Sequence, residues 1–348
     1  MPFEEFLKIQ GGLLGIDIGY DSIKIVNLQK KGGRNFLRSF NIISIPPKSL
    51  QQKQEDVQKV AEAINLARNT AKPRIYEKMT VSGLPESKVF TKIIQVPKMT
   101  DEELQNAVPY EAARHIPLPP AELYLDWQNL GEAAKNTLDI LVIAAPKFLV
   151  ENYLAVFQKV NLELIAIETK AIAAARATIK KDESQTILIL DIGAEATGIS
   201  IVDLGTIKFT YTIPHGGYTL TKSIVNTLKV SSQEAEKLKR EAGFKKDKHP
   251  EAIKAMEPVM NDILEEVNNA VKFYESRTKP ARKIAEIIVC GGGALTPDIA
   301  PYVAQFSAKK TNIANPFINI AEKSWRKLAQ EQILRLTTAA GLALRERY

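Results

Sequence analysis

Apolar runs of strand length alternate along the chain with stretches whose apolar positions recur every three to four residues, which predicts strands interleaved with amphipathic helices. The first run, LLGIDIG at 13–19, is followed by IKIVNL at 23–28, with the polar turn Tyr20-Asp21-Ser22 between them. This reads as a strand hairpin over 13–28. A strand at 36–45, a helix at 52–70 and a strand at 79–83 follow. The hairpin carries one oddity: Asp17 sits at the end of an apolar strand, where a carboxylate is costly unless cations or donors meet it.

The texture changes between 85 and 163. A strand at 90–97 leads into a helix at 101–116, with Thr100 and Glu103 at capping-box spacing and Pro109 expected to bend or break it. Strands at 122–130 and 137–146 and a helix at 148–160 complete a β-α-β-β-α module, read as an insertion because the earlier pattern resumes at Leu164. The second half opens with TILILDIGAEATGISIVDLG at 186–205, an echo of the first hairpin. In both, Asp-Ile-Gly precedes small or acidic residues, Ser or Thr, and then a closing apolar strand; the second copy is two residues longer. Internal similarity of this kind implies a duplicated domain. Helices are expected at 218–229, 232–242 and 250–277, with Ser231 and Glu234 at capping-box spacing and Gly243 as a stop. A strand at 284–294, a helix after it and a single terminal helix at 325–348 end the chain.

Composition narrows the class. The 348 residues carry a formal charge of +7, which leaves room for an acidic partner. Yet the basic residues are dispersed, and the densest run, KLKREAGFKKDKH at 237–249, reads as a solvated helix end and loop; nucleic-acid motifs are absent. The single Cys290, in IIVCGGG, reads as a buried strand residue in a protein of a reducing cytosol. The start, MPFEEFLKIQ, has two glutamates and no long apolar stretch, so no signal peptide is expected, and Phe3, Phe6 and Leu7 read as a packed or frayed terminus. No apolar run reaches the ~18 residues of a membrane span.

Two strand-turn-strand elements can face each other across a cleft, with turn amides and glycines offered to a shared anion. Asp17 and Asp191 then suit Mg²⁺ held through water, and Lys24 suits a phosphate oxygen. Gly291, Gly292 and Gly293 form a third turn, against which a flat base can lie. No P-loop is present. None of the three histidines, His115, His215 and His249, has metal-ligand spacing to another.

In this order the motifs GIDIGYDSIKIV, LDIGAEATGISIV and IIVCGGGALTPDIAPYV resemble the phosphate-1, phosphate-2 and adenosine motifs of the actin-like ATPase superfamily. IQVPKMTDEELQNAVPYEAARHIPLPPAELYLDWQ, GGYTLTKSI and TTAAGLALRER are similar to the PilM family of type IV pilus assembly, relatives of the division protein FtsA. The resemblance implies an α/β actin-like fold: two duplicated RNase H-like domains with an inserted ferredoxin-like (SHS2) 1C subdomain. It divides the chain into 1A (1–84 and 164–184), 1C (85–163), 2A (185–215 and 285–348) and 2B (216–284). It implies ATP and Mg²⁺ as ligands, with hydrolysis weak or absent. Asp17, Gly19, Tyr20, Asp21, Ser22 and Lys24 would form the first phosphate loop, and Asp191, Gly193, Ala194, Glu195 and Thr197 the second. Gly216 and Gly217 would begin a helix beside the nucleotide, Glu236 and Lys239 would contact ribose and base, and Gly291 to Ala294 would form the adenosine turn. Glu168 would lie in the connecting helix as the water-orienting residue, with Asp191 as its catalytic partner. Tyr20 is bulky for a phosphate loop and Glu195 adds negative charge there.

The implied role is a cytoplasmic scaffold that docks the N-terminal segment of a PilN-like inner-membrane protein and so lies at the membrane through that partner. Contact with pilus motor ATPases and a homo-oligomer fit the same role. An FtsA-like membrane filament is the second reading, although the chain stops at Tyr348 without that protein's amphipathic membrane helix. A small-molecule kinase is the third, with Asp21 or Asp126 as base.

Overall fold

The computed structural model describes residues 12–47, 54–134, 136–245, 247–277 and 282–346; the N-terminal readings at Phe3, Phe6 and Leu7 lie outside these. They form two compact units, residues 1–84, 155–181 and 314–348, and residues 85–154 and 182–313.

The first unit is built on a five-stranded sheet. β1 (Leu14–Ile18), β2 (Ser22–Lys31) and β3 (Arg34–Ser44) run antiparallel, and β4 (Met79–Leu84) and β8 (Glu163–Thr169) continue the sheet in parallel, in the order β3-β2-β1-β4-β8. β1 is buried on both faces, which its unbroken apolar run requires. One face is covered by α1 (Gln54–Thr70), while α4 (Lys170–Thr178) and the C-terminal α10 (Thr337–Ala343) pack on the other elements of the unit. The order β11-β10-β9-β12-β13 in the second unit repeats this plan with β9 (Thr186–Ile192), β10 (Thr197–Asp203), β11 (Thr206–Ile213), β12 (Ile284–Cys290) and β13 (Lys310–Ile313). Again three strands are antiparallel and two parallel, so the echo in the sequence is an echo in topology. Helices α5 (Gly217–Leu228), α6 (Ser232–Ala242), α7 (Pro250–Arg277) and α8 (Ile299–Ser307) belong to this unit.

The module expected over 85–163 has the predicted element order. β5 (Phe90–Pro97), α2 (Asp101–Ala113), β6 (Leu123–Ala134), β7 (Thr137–Pro146) and α3 (Lys147–Lys159) enclose a sheet of order β5-β7-β6. Its core is Ile94, Val96, Leu104, Val108, Ile140 and Val142. The capping box is present: Thr100 Oγ1 accepts from Glu103 N (3.3 Å) and Glu103 Oε2 from Thr100 N (2.8 Å).

Three expectations need correction. Pro109 does not break α2, which runs through it; Gln105, whose carbonyl loses a donor, is on the exposed side, where water can replace that donor. The terminal helix is two short ones, α9 (Gln330–Arg335) and α10, with a non-helical Leu336 between them. Residues 314–348, assigned from sequence to the second domain, pack in the first unit instead. Phe317, Ile320, Leu336, Ala339, Ala340 and Ala343 share a core with Val26 and Leu28 of β2. Strands β11 and β13 were not anticipated.

Small residues let α10 lie close to its neighbours. A methyl on Gly341 would stand 1.8 Å from the carbonyl oxygen of Ala173 in α4, and one on Gly15 would stand 2.0 Å from that of Ala339. Both obstacles are backbone and cannot swing aside. Gly341→Ala is therefore expected to cost about 3 kcal/mol, at the upper end of overpacking penalties. Urea unfolding followed by circular dichroism checks this, and an unchanged midpoint would contradict the packing.

Candidate functional site

Each sheet presents one strand-turn-strand element that matches a phosphate motif, and the two are built differently. In the first unit the register pairs Asp17 of β1 with Lys24 of β2. The turn closes by a hydrogen bond from Gly19 N to Ser22 O (2.9 Å), and Ile45 N donates to Asp21 O (2.8 Å). Ser22 Oγ donates to Asp21 Oδ1 (2.9 Å), and Tyr20 is half-buried. A side chain at Gly19 would meet Lys24 Nζ at 2.7 Å, so glycine there leaves room for the ammonium.

Asp17 is buried, and two cations hold it. Lys24 Nζ lies 3.4 Å from Oδ2 and Lys170 Nζ 2.6 Å from Oδ1, the latter an ion pair off the hydrogen-bond direction. Lys170 also donates to Ile18 O (3.0 Å). Burial alone would push the Asp17 carboxyl up, but Lys170 and then Lys24 outweigh it and hold it below the ordinary value. A divalent ion at this carboxylate would lie against two ammonium groups, so Asp17 does not fit the metal role expected of it. Lys170 was missed from sequence. The available signal was a lysine as the first residue of a helix, against the helix dipole, which calls for a nearby anion.

Glu168 is not in the connecting helix. It is the penultimate residue of β8, buried, and both its oxygens are taken by guanidinium groups. Arg176 reaches Oε1 at 2.5 Å and Oε2 at 2.9 Å; Arg345 reaches Oε2 at 2.6 Å. Arg176 also donates to Gly341 O (2.8 Å). The geometry is that of a fastener between β8, α4 and the C-terminal segment, rather than that of a carboxylate aimed at water.

The second unit brings its expected residues together. Gly193 N donates to Ala196 O (3.0 Å), closing the turn after Asp191. The turn's carbonyls then cap α5: Gly217 N donates to Gly193 O and Tyr218 N to Ala194 O, both at 2.9 Å. Gly216 is required there, because a methyl would come within 2.7 Å of Gly193 O and 2.8 Å of Ala194 O. Thr197 Oγ1 donates to His215 O (2.7 Å) and Glu195 is exposed. Among the described residues the amides of Ala194 and Glu195 meet no backbone acceptor, so they remain as donors. Beside them Lys239 Nζ bonds Gly217 O (3.1 Å) and Thr221 Oγ1 (2.8 Å) and pairs with Glu236 Oε2 (2.7 Å). Thr221, which the sequence reading passed over, joins α5 to α6. Burial raises the Glu236 carboxyl, but Lys239, Thr221 and Arg240 outweigh it and lower it.

The third turn adjoins the second. Cys290 is the register partner of Asp191, and Gly291, at φ +76°, passes so close that a methyl would stand 2.2 Å from Asp191 Oδ1. Gly293 is equally tight against Ile192, whereas a methyl on Gly292 would meet nothing within 4 Å. Burial, and then Asp191, push the Cys290 thiol well above its usual value, so it stays protonated and inert. Ala294 is buried in the 3₁₀ turn that follows. Asp191, Gly193, Gly216, Gly217, Glu236, Lys239 and the Gly291–Ala294 turn thus share one unit. Among the described residues no three His, Cys, Asp or Glu side chains cluster as a metal site, and no helix is long and apolar enough to cross a membrane. A nucleotide-borne Mg²⁺ needs only one or two carboxylates, and those at this turn are Asp191, half-buried, and Glu195, exposed.

Comparison with known proteins gives a consistent picture. A family model described as type IV pilus assembly protein PilM matches residues 15–347. The cell division protein FtsA of Bacillus subtilis is 32% identical over 103 residues, which span 29% of this chain and 23% of that protein. FtsA of Streptococcus pneumoniae is 20% identical over 336 residues, covering 83% of this chain and 72% of its own. Among solved structures, a chain of a PilM-PilN type IV pilus biogenesis complex superposes with a TM-score of 0.80 at 24% identity, covering 96% of this chain and 98% of that one. MreB5 of Spiroplasma citri bound to AMPPNP gives 0.55 at 14% identity, over 95% and 94%. The fold is the actin-like ATPase fold, as the motifs implied.

Two outcomes test the first unit's charges. The Asp17 carboxyl is lowered in the fold, so its contribution is complete above the unfolded value of 3.8 and is lost as pH falls through the lower folded value. The stability gap between wild type and Asp17→Asn, read by urea unfolding at successive pH values, is expected to be constant near neutrality and to shrink below about pH 4. Glu168→Gln would leave two guanidinium groups on a neutral amide and is expected to cost about 3–5 kcal/mol. A variant that unfolds like wild type would refute the fastener.

Proposed function

This chain belongs to the PilM family of type IV pilus assembly proteins, and from that premise we propose that it is an ATP-binding scaffold rather than a catalyst. The ligand would be held in the second unit by the turn after Asp191 and the adenosine turn, with the amides of Ala194 and Glu195 serving phosphate oxygens and the space over Gly292 serving the base. Lys239 and Glu236 would meet the nucleoside. Mg²⁺ supplies screening of phosphate charge, and Asp191 is the residue that would hold it through water.

The observation that carries this reading is the duplicated turn in a chain of this family: the same strand order twice, each with Asp-Ile-Gly at the end of its central strand. The engagement of Glu168 by Arg176 and Arg345 supports a role in which nucleotide biases conformation instead of being turned over. The partner would be the cytoplasmic N-terminal segment of a PilN-like inner-membrane protein, which would bring the chain to the membrane from the cytoplasmic side; the PilM-PilN complex that this fold resembles supports that choice. An FtsA-like filament keeps a claim through the sequence similarity to FtsA, and vesicle co-sedimentation of the protein separates it.

Calorimetric titration with a synthetic peptide of the PilN-like N-terminal segment is expected to show saturable binding whose affinity differs with and without ATP. Absence of binding in both conditions would overturn the scaffold reading, and phosphoryl transfer to a panel of sugars would replace it with a kinase.

A further inference from the structure

The first turn carries more positive charge than its own carboxylate answers. Lys24 and Lys170 have side chains only 16% and 18% exposed, and Asp17, 6% exposed, is the one acid within ion-pair distance of either among the described residues. Two ammonium groups around one carboxylate leave a net charge of about +1 in a partly desolvated place, which is costly without an anion. The position of Lys170 is built. Its stem runs over Gly83 of β4, where a methyl would stand 3.3 Å from Cγ, and its head is fixed by Asp17 and by Ile18 O. Lys24 is likewise given room by Gly19.

We propose that Lys170 is a phosphate-binding residue, and that Lys24 and Lys170, aimed by Asp17, form a two-ammonium site for a nucleotide phosphate that does without a divalent cation at this turn. The proposal rests on the nucleotide-binding reading above and adds to it a residue and a charge logic. Asp17 is then a positioning group: it holds the two heads near each other and is not itself a metal ligand. A phosphate adds the missing negative charge to this cluster, while Mg²⁺ at Asp17 would add like charge to it. Such ammonium-phosphate contacts are charge-assisted and short.

The test is calorimetric titration of the full chain with ATP in excess Mg²⁺ and again in EDTA. Because Mg²⁺ at Asp191 would contribute separately, the comparison is made between variants in each condition, and Lys170→Met is expected to fall on the order of tenfold below wild type in EDTA, about 1.4 kcal/mol. Lys170→Arg, which keeps the charge, is expected to restore most of the loss. Lys170→Met binding ATP like wild type in EDTA would overturn the assignment. Where circular dichroism shows that Lys170→Met fails to fold, Lys170→Gln titrated in the same two conditions decides by the same criterion. Wild type that binds no ATP in either condition would instead overturn the functional reading, and this proposal with it.

Discussion

A carboxylate at the buried end of a central strand must be given a counter-charge or a donor, and of the two that the duplicated architecture places there, Asp17 is buried and Asp191 half-buried. Asp17 and Asp191 close equivalent strands in equivalent sheets. The first is met by cations, Lys24 across the hairpin and Lys170 from the start of α4. The second stands beside a buried thiol and a glycine turn that packs closely on Asp191 and Ile192 and is open at Gly292. One copy therefore supplies charge and the other supplies shape. That division follows from local sequence: a lysine faces Asp17 in register where Gly198 faces Asp191. The first turn is also short and polar, whereas the second is longer and gives its carbonyls to α5.

The charged turn depends on packing behind it. Lys170 begins α4, so its head stays in place only while α4 does, and α4 is held by α10 at a backbone distance that only Gly341 allows. Glu168 and Arg176 join the same assembly two residues before and six after Lys170, and Arg345 ties in the C-terminal segment. The last thirty residues are thus part of the support of the first turn, even though they are farthest from it in sequence.

The elements with strong local periodicity were legible without a structure: both hairpins, α1, α7, the β-α-β-β-α module and the caps at Thr100 and Ser231. The duplicated topology followed from the repeated Asp-Ile-Gly. What escaped were features set by distant parts of the chain. β13, four half-exposed residues beside β12, has too little pattern of its own, and β11 takes its place from pairing with β10. The seating of 314–348 depends on Val26 and Leu28, some three hundred residues earlier, and no local signal carries it. At the site, glycines and aspartates stood out because their chemistry is unusual in strands. Lys170, Thr221 and Arg345 did not, because such residues are common on surfaces and become informative only when their partners are known.

The misplacement of Glu168 bears on what a nucleotide does here. A strand residue whose two oxygens are occupied by two arginines is committed to the fold, and releasing it for water would loosen α4 and with it Lys170. Positioning for chemistry and support for binding then compete for one side chain, and in this molecule support has it. If the two ammonium groups of the first turn hold a phosphate as proposed, they would favour retention of the ligand, with no carboxylate left free at Glu168 to direct water. On the reading proposed above, nucleotide would act by binding one conformation of the protein more tightly than another. The size of that bias is set by the difference in affinity, with no turnover required.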